Sequence, residues 1–231
     1  MGRGRRVLLS WSFGKDSAWA LHVLRRQAID VVGLLTTFNA AFDRVAMHAV
    51  RSELVAAQAV ATGLPLWSVP LPWPCSNRDY ERLMSGVLQR AVAARITHVA
   101  FGDLFLQDIR DYRVRQLAPT GLEPLFPLWC SSHDTPALAR AMLDGGLKAV
   151  VTCVDPNKVP ATFAGRAYDA TLLADLPPDI DPCGERGEFH TLCFAGPMFR
   201  EPIALRVGDI VSRDGFCFAD VLPDSWQGRR L

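Results

Sequence analysis

The residues best suited to chemistry fall in two short segments. One is Ser12-Phe13-Gly14-Lys15-Asp16-Ser17; the other is Asp181-Pro182-Cys183-Gly184-Glu185-Arg186-Gly187-Glu188-Phe189-His190-Thr191. The first suits a bound anion. Gly14 lets the backbone approach closely, Lys15 adds a point charge, and Ser12 and Ser17 offer hydroxyl donors. The second gathers two carboxylates, Glu185 and Glu188, with His190 around two glycines, a set suited to proton transfer and to positioning a polar substrate. Each segment also has a plain structural reading. Asp16 or Ser17 could cap a helix after a tight turn, and the acidic segment could be a solvated turn leading into a strand.

The elements that must hold these residues follow from periodicity. Short β-branched runs at 7–11, 31–37, 66–70 and 98–102 read as strands, and 16–27, 43–62 and 77–95 read as helices with apolar residues recurring at three and four. Gly63-Leu64-Pro65 ends the second helix. This alternation is that of βα units around a parallel sheet. The first loop therefore lies between the carboxyl end of a strand and the amino end of a helix, where unpaired N–H groups and the helix dipole favour phosphate.

A helical pattern at 104–117 stops at Ala118-Pro119-Thr120-Gly121. Beyond it come a Pro-rich stretch at 122–129, a helix at 136–143, a strand at 149–154, and late strands at 207–211 and 216–221 joined through Asp214-Gly215. The expected division is a nucleotide-binding domain at 1–120 and a smaller α+β domain at 121–231.

Composition sets bounds on function. The chain has 231 residues, 49% of them hydrophobic and 21% charged, with a net charge of +1. That balance carries no overall electrostatic footprint for nucleic acid, which is not an expected partner. Only Lys15, Lys148 and Lys158 are lysines among the 25 basic residues, which gives a lysine in the loop added weight. The six cysteines show no CxxC pair or zinc spacing, so reduced thiols are expected. No apolar run is long enough for a membrane span, and no leader is evident, so a soluble cytoplasmic protein is expected. The loop matches neither GxxxxGK[ST] nor GxGxxG.

The first loop resembles the SGGKDS signature of the PP-loop, or N-type, ATP pyrophosphatases, with Phe13 at the place of the second glycine. Paired with Cys183-Gly184-Glu185 and Gly187-Glu188 through Thr191, it makes the chain similar to the diphthine ammonia ligase family, also described as diphthamide synthase domain proteins. Gly102-Asp103, the Arg-rich 108–115 segment, Pro127-Leu128-Trp129 and Gly196-Pro197-Met198-Phe199 carry the same resemblance, and details at 36–39 and 102–106 look like bacterial relatives.

The resemblance implies an α/β fold: a parallel-sheet adenine nucleotide alpha hydrolase-like (HUP, Rossmann-like) domain followed by a smaller α+β domain. It implies an ATP-dependent amide ligase that adenylates a carboxylate, releases pyrophosphate and transfers ammonia. Ser12, Gly14, Lys15, Asp16, Ser17 and Gly102 would bind ATP, Asp16 and Asp103 would hold Mg²⁺, and Lys15, Glu185, Glu188 and His190 would be catalytic. Asp103 could instead cap the helix after it. Arg110 and Arg113 read either as phosphate or carboxylate contacts or as surface arginines. A helix carrying Met47, His48 and Arg51 is expected to border the nucleotide. The acceptor, a small molecule or a protein side chain, is left open, as is a homodimer. The alternatives are an RNA-thiolating PP-loop enzyme and a nucleotide-binding regulatory module without turnover.

Overall fold

In the computed structural model, residues 4–39, 44–45 and 51–224 are described. Strand β1 (Arg6–Ser10) carries Val7, Leu8 and Leu9, all fully buried. A strand apolar on both faces belongs inside a parallel sheet covered by helices. It pairs in parallel with β2 (Asp30–Asn39) on one side and β5 (His98–Ala100) on the other. Parallel partners β4 (Leu66–Leu71) and β6 (Glu123–Leu125) extend the sheet outward, giving the order β4-β2-β1-β5-β6. The order reverses between β2 and β5, so the crevice outside the end of β1 is where an open α/β sheet binds ligands.

The covering helices α1 (Lys15–Arg26) and α3 (Asn77–Ala93) match their sequence signals closely. Asp16 in the first turn of α1 and Arg25 and Arg26 in the last complement the helix dipole. The Ser76 hydroxyl caps α3 by accepting from the Asp79 N–H at 3.1 Å. Helix α2 (Ser52–Thr62) ends at Gly63, whose φ of 70° is the left-handed cap a glycine supplies.

Three expectations need correction. The helix expected over 43–62 starts only at Ser52, and the two-residue strand β3 (Arg44–Val45) pairs antiparallel with the end of β2. Sheet pairing of that segment overrides its helical spacing. Met47 and His48 lie outside the described residues. Helix α4 (Gln107–Leu117) begins later than residue 104, because the backbone of Leu104 is engaged elsewhere: its N–H bonds Glu185 and its carbonyl accepts from Cys130. The Pro-rich stretch contains β6, where Pro124 is tolerated because the strand lies at the sheet edge.

The second sheet is antiparallel. Strand β7 (Lys148–Val154) pairs with β8 (Ala167–Tyr168), β9 (Phe189–Ala195) and β11 (Phe216–Pro223), and β10 (Leu205–Arg213) flanks β11. Helices α5 (Thr135–Asp144) and α6 (Ala170–Asp175) complete it. One core joins the sheets: Val7, Leu9 and Trp11 share it with Val151, Leu192 and Val221, and α1 contributes Ala18, Leu21 and Leu24. All six cysteines are free.

Candidate active site

The loop after β1 reaches α1 through Gly14, the N-cap, with no side-chain cap bond. The capping reading therefore does not hold. The Asp16 carboxylate meets the Lys15 Nζ through both oxygens at 2.9 Å, and the Ser17 hydroxyl donates to the Gly14 carbonyl at 3.1 Å. Ser12 and Ser17 hydroxyls lie 3.2 Å apart. Gly102, at the end of β5, lies directly against this helix start. A Cβ there would sit 2.9 Å from the Ser17 nitrogen and 3.0 Å from the Asp16 carbonyl carbon, so the position admits only glycine without a shift.

Phe13 has a φ of 69°, the left-handed region that a glycine enters freely. Its ring is fully buried in the core and is not part of the cavity wall beside Ser12. Burying such a ring is worth about 1.5–3 kcal/mol, and holding a non-glycine residue at positive φ costs about 1–3 kcal/mol. The two roughly cancel, which accounts for a phenylalanine at this position.

The second signature closes over the first. Asp181, buried, accepts from the Cys183 and Glu185 backbone N–H groups at 3.1 and 2.9 Å. Gly184 and Gly187 take φ of 69° and 78°, which brings the chain round to β9. Lys15 Nζ donates to the Cys183 carbonyl, and the Thr191 hydroxyl on β9 accepts from the Lys15 N–H at 3.1 Å. Tyr168 and Phe189 rings wall the ammonium at 5.5 and 5.7 Å. Glu185 Oε1 accepts from the Leu104 N–H at 2.9 Å, tying the acidic loop to the end of β5. Lys15, Asp16, Gly102 and Glu185 thus converge, although they come from distant parts of the chain.

Electrostatics sorts these groups. Burial alone would lower the Lys15 pKa, but Asp16 chiefly, with help from Cys183 and then Glu185, more than offsets it, so the ammonium stays charged. Glu185 is pushed up to about 7 by burial and by the neighbouring Asp16 and Asp103 charges, against the Leu104 N–H and Lys15. His190 is pushed down to about 4 by burial and by Lys15, so it is neutral at physiological pH. Burial holds the Tyr168 phenol well above its ordinary value, and the phenol donates to the Pro182 carbonyl at 2.9 Å. Glu188 is 2% exposed, and its Oε2 has no hydrogen-bond partner among the described residues.

Asp103 does not cap α4, whose N-cap is Leu106. It faces Arg113 at 3.5 Å, and burial raises its pKa against that attraction. Arg113 also lies over the Phe101 ring, and Arg110 over Phe126 and Trp129. A cavity of about 300 Å³ opens at the carboxyl ends of β1, β2 and β5, lined in part by Ser12, Thr36, Thr37, Tyr80, Phe101 and Arg113. This is the lower end of the size range of small-ligand sites. Among the described residues no three His, Cys, Asp or Glu side chains group as a metal site. A nucleotide-bound Mg²⁺ needs only one or two carboxylates beside phosphate oxygens and water, which a set of Asp16 and Asp103 fits in kind.

Sequence reasoning missed Gln58, which is 1% exposed and bonds the loop, and Tyr168, and it gave Asp181 no role of its own within the second segment. Gln58 carries no local signal, since a polar residue on a helix face reads as solvated. The acidity of Asp181, three residues before the first glycine of the signature, was the available clue for that residue.

No helix among the described residues is long and apolar enough to cross a membrane. No curated protein matches the chain. Two family models do: the diphthamide synthase N-terminal domain over residues 5–117 and the diphthamide synthase C-terminal domain over residues 134–221. The first spans the phosphate loop and Gly102, and the second spans the acidic loop that Lys15 touches. With both halves matched in order, the chain belongs to the diphthamide synthase family, of ATP-dependent ligase type within the PP-loop superfamily.

Proposed function

We propose that this protein adenylates a carboxylate with ATP and transfers ammonia to it, forming an amide with release of pyrophosphate and AMP. The observation that carries the reading is the contact between Lys15 Nζ, at the start of α1, and the Cys183 carbonyl. It joins Lys15, which in this reading binds phosphate, to the acidic loop that in this reading handles protons. In this reading residues 1–120 supply the nucleotide end and residues 121–231 the acceptor end, in a cytoplasmic setting.

A carboxylate oxygen attacks the α-phosphorus and the bond to the pyrophosphate oxygen breaks. The Lys15 ammonium and the Gly14 N–H of the loop stabilise the charge that develops on the leaving group. Gly102 keeps β5 close against that loop. Asp16 and Asp103 are the carboxylates that would hold Mg²⁺, which supplies charge neutralisation when bound. The ammonia nitrogen then attacks the acyl carbon, the bond to AMP breaks, and nitrogen releases a proton. Glu185 is the acceptor matched to that proton, because its pKa of about 7 leaves it substantially ionised near neutrality. Glu188, buried with one oxygen that has no hydrogen-bond partner among the described residues, is suited to orienting the incoming nitrogen. His190, neutral, is suited to hydrogen-bonding the acceptor.

The test supplies purified protein with ATP, Mg²⁺, ammonia and cell-derived carboxylates, and measures AMP and pyrophosphate. Glu188→Gln is expected to bind ATP as wild type does while losing about 100-fold or more in AMP release. Failure of the wild-type protein to release AMP and pyrophosphate with any acceptor, or unchanged turnover in the variant, refutes the corresponding part.

A further inference from the structure

Gln58 lies on α2, far along the chain from the phosphate loop, yet its side chain is spent entirely on that loop's surroundings. Its Oε1 accepts from Trp11 Nε1 at 2.8 Å, and its Nε2 donates to the Phe13 carbonyl at 3.0 Å and to the Cys193 carbonyl at 2.5 Å. The Phe13 carbonyl accepts a second bond, from the Cys193 N–H at 3.0 Å. Both neighbours of Ser12 are therefore held from one buried amide.

The carbonyl of one residue and the N–H of the next belong to a single planar trans peptide and point opposite ways. Two donors anchor the Phe13 carbonyl toward α2 and β9, so the Gly14 N–H must point away from them. Among the described residues that N–H donates to no acceptor. A glycine at position 13 would adopt the left-handed conformation unaided, but Phe13 holds it at φ 69° against its own preference. Released from the anchor, the Phe13–Gly14 peptide would turn.

We propose that Gln58 is a positioning residue of the phosphate loop, fixing the Phe13–Gly14 peptide so that the Gly14 N–H is presented to the pyrophosphate end of ATP. This rests on the nucleotide reading above. Gln58 touches no reacting atom; it sets the direction of a group that does, and it adds to the burial of the Phe13 ring in making a phenylalanine usable in the loop.

The experiment measures ATP and AMP affinity of the full chain by calorimetry, with thermal unfolding followed in parallel. Gln58→Leu keeps the volume and removes the amide. It is expected to weaken ATP by about tenfold or more while leaving AMP within about twofold, since AMP lacks the phosphates the loop reads. A merely structural loss would weaken both ligands alike. In a Phe13→Gly background the effect of Gln58→Leu on ATP is expected to shrink to under about threefold, because glycine needs no anchor.

Should Phe13→Gly not fold, hydrogen exchange over residues 12–17 decides the same point: faster exchange in Gln58→Leu, with β7 unchanged, supports the assignment. Equal weakening of ATP and AMP, no weakening of either, or unchanged loop exchange overturns it. A wild-type protein that binds no ATP overturns the nucleotide reading as well. Tight ATP binding by both proteins overturns the Gln58 assignment alone.

Discussion

Gly102→Ala tests whether the end of β5 sets the position of the phosphate loop. The added Cβ would lie 2.9 Å from the Ser17 nitrogen and 3.0 Å from the Asp16 carbonyl carbon, whereas ordinary contact begins near 3.4 Å. Both obstructing atoms are backbone in the first turn of α1, so no side chain can rotate aside. The helix start and β5 must separate by about 0.5 Å, and overpacking of this kind costs about 1–3 kcal/mol. The displacement falls on Asp16 and Ser17 and moves the Leu104 N–H that Glu185 accepts. Misplacement of about 1 Å costs about 100-fold in well-organised sites, so a shift of half that size is expected to weaken ATP about tenfold. Thermal unfolding and calorimetric titration with ATP measure the two effects. An alanine variant that melts as wild type does and binds ATP within twofold would refute the reasoning, because the contact would then be relieved without moving the loop.

Lys15→Met retains the stem and removes the ammonium. It is expected to abolish measurable ATP binding and to cost about 2–3 kcal/mol in urea unfolding, since Asp16 is left without its partner but keeps about a quarter of its side chain exposed. Wild-type stability would show that the pair contributes nothing. Glu185 predicts a pH dependence. Between pH 4.5 and about 7 the folded protein retains a proton that the unfolded chain has released, so stability falls as pH rises through that window, by at most about 3 kcal/mol. Glu185→Gln is expected to remove this fall in unfolding measured at pH 5 and pH 8. It leaves the opposite contribution of His190, which is lost as pH falls from 6.5 towards about 4. The same variant should lose the rise in turnover near pH 7, and a retained rise would assign the proton to another group.

What the sequence determined by itself is local. The strand, loop and helix around Ser12 to Ser17, the Gly63 helix end and the β10–β11 hairpin through Asp214-Gly215 all follow from side-chain periodicity and cap chemistry, which act within a turn or two. The resemblance of two motifs pointed to their joint use, but only the tertiary structure brought them together. Lys15 meets Thr191 across 176 positions and Cys183 across 168. Those contacts depend on how α1 and two sheets pack around a shared core, and no local pattern encodes that packing.

The same reason explains the other differences. Strand β6 was obscured by Pro124, and only its place at a sheet edge makes that proline acceptable. The segment before α2 has helical spacing, yet Arg44–Val45 pairs with β2 because an open strand end was available there. Phe13 departs from the motif, and its sequence context gives no means of judging the consequence. The structure resolves it: the ring enters the core, and Gln58 and Cys193, remote in the chain, hold the backbone in a conformation that a glycine would enter without strain.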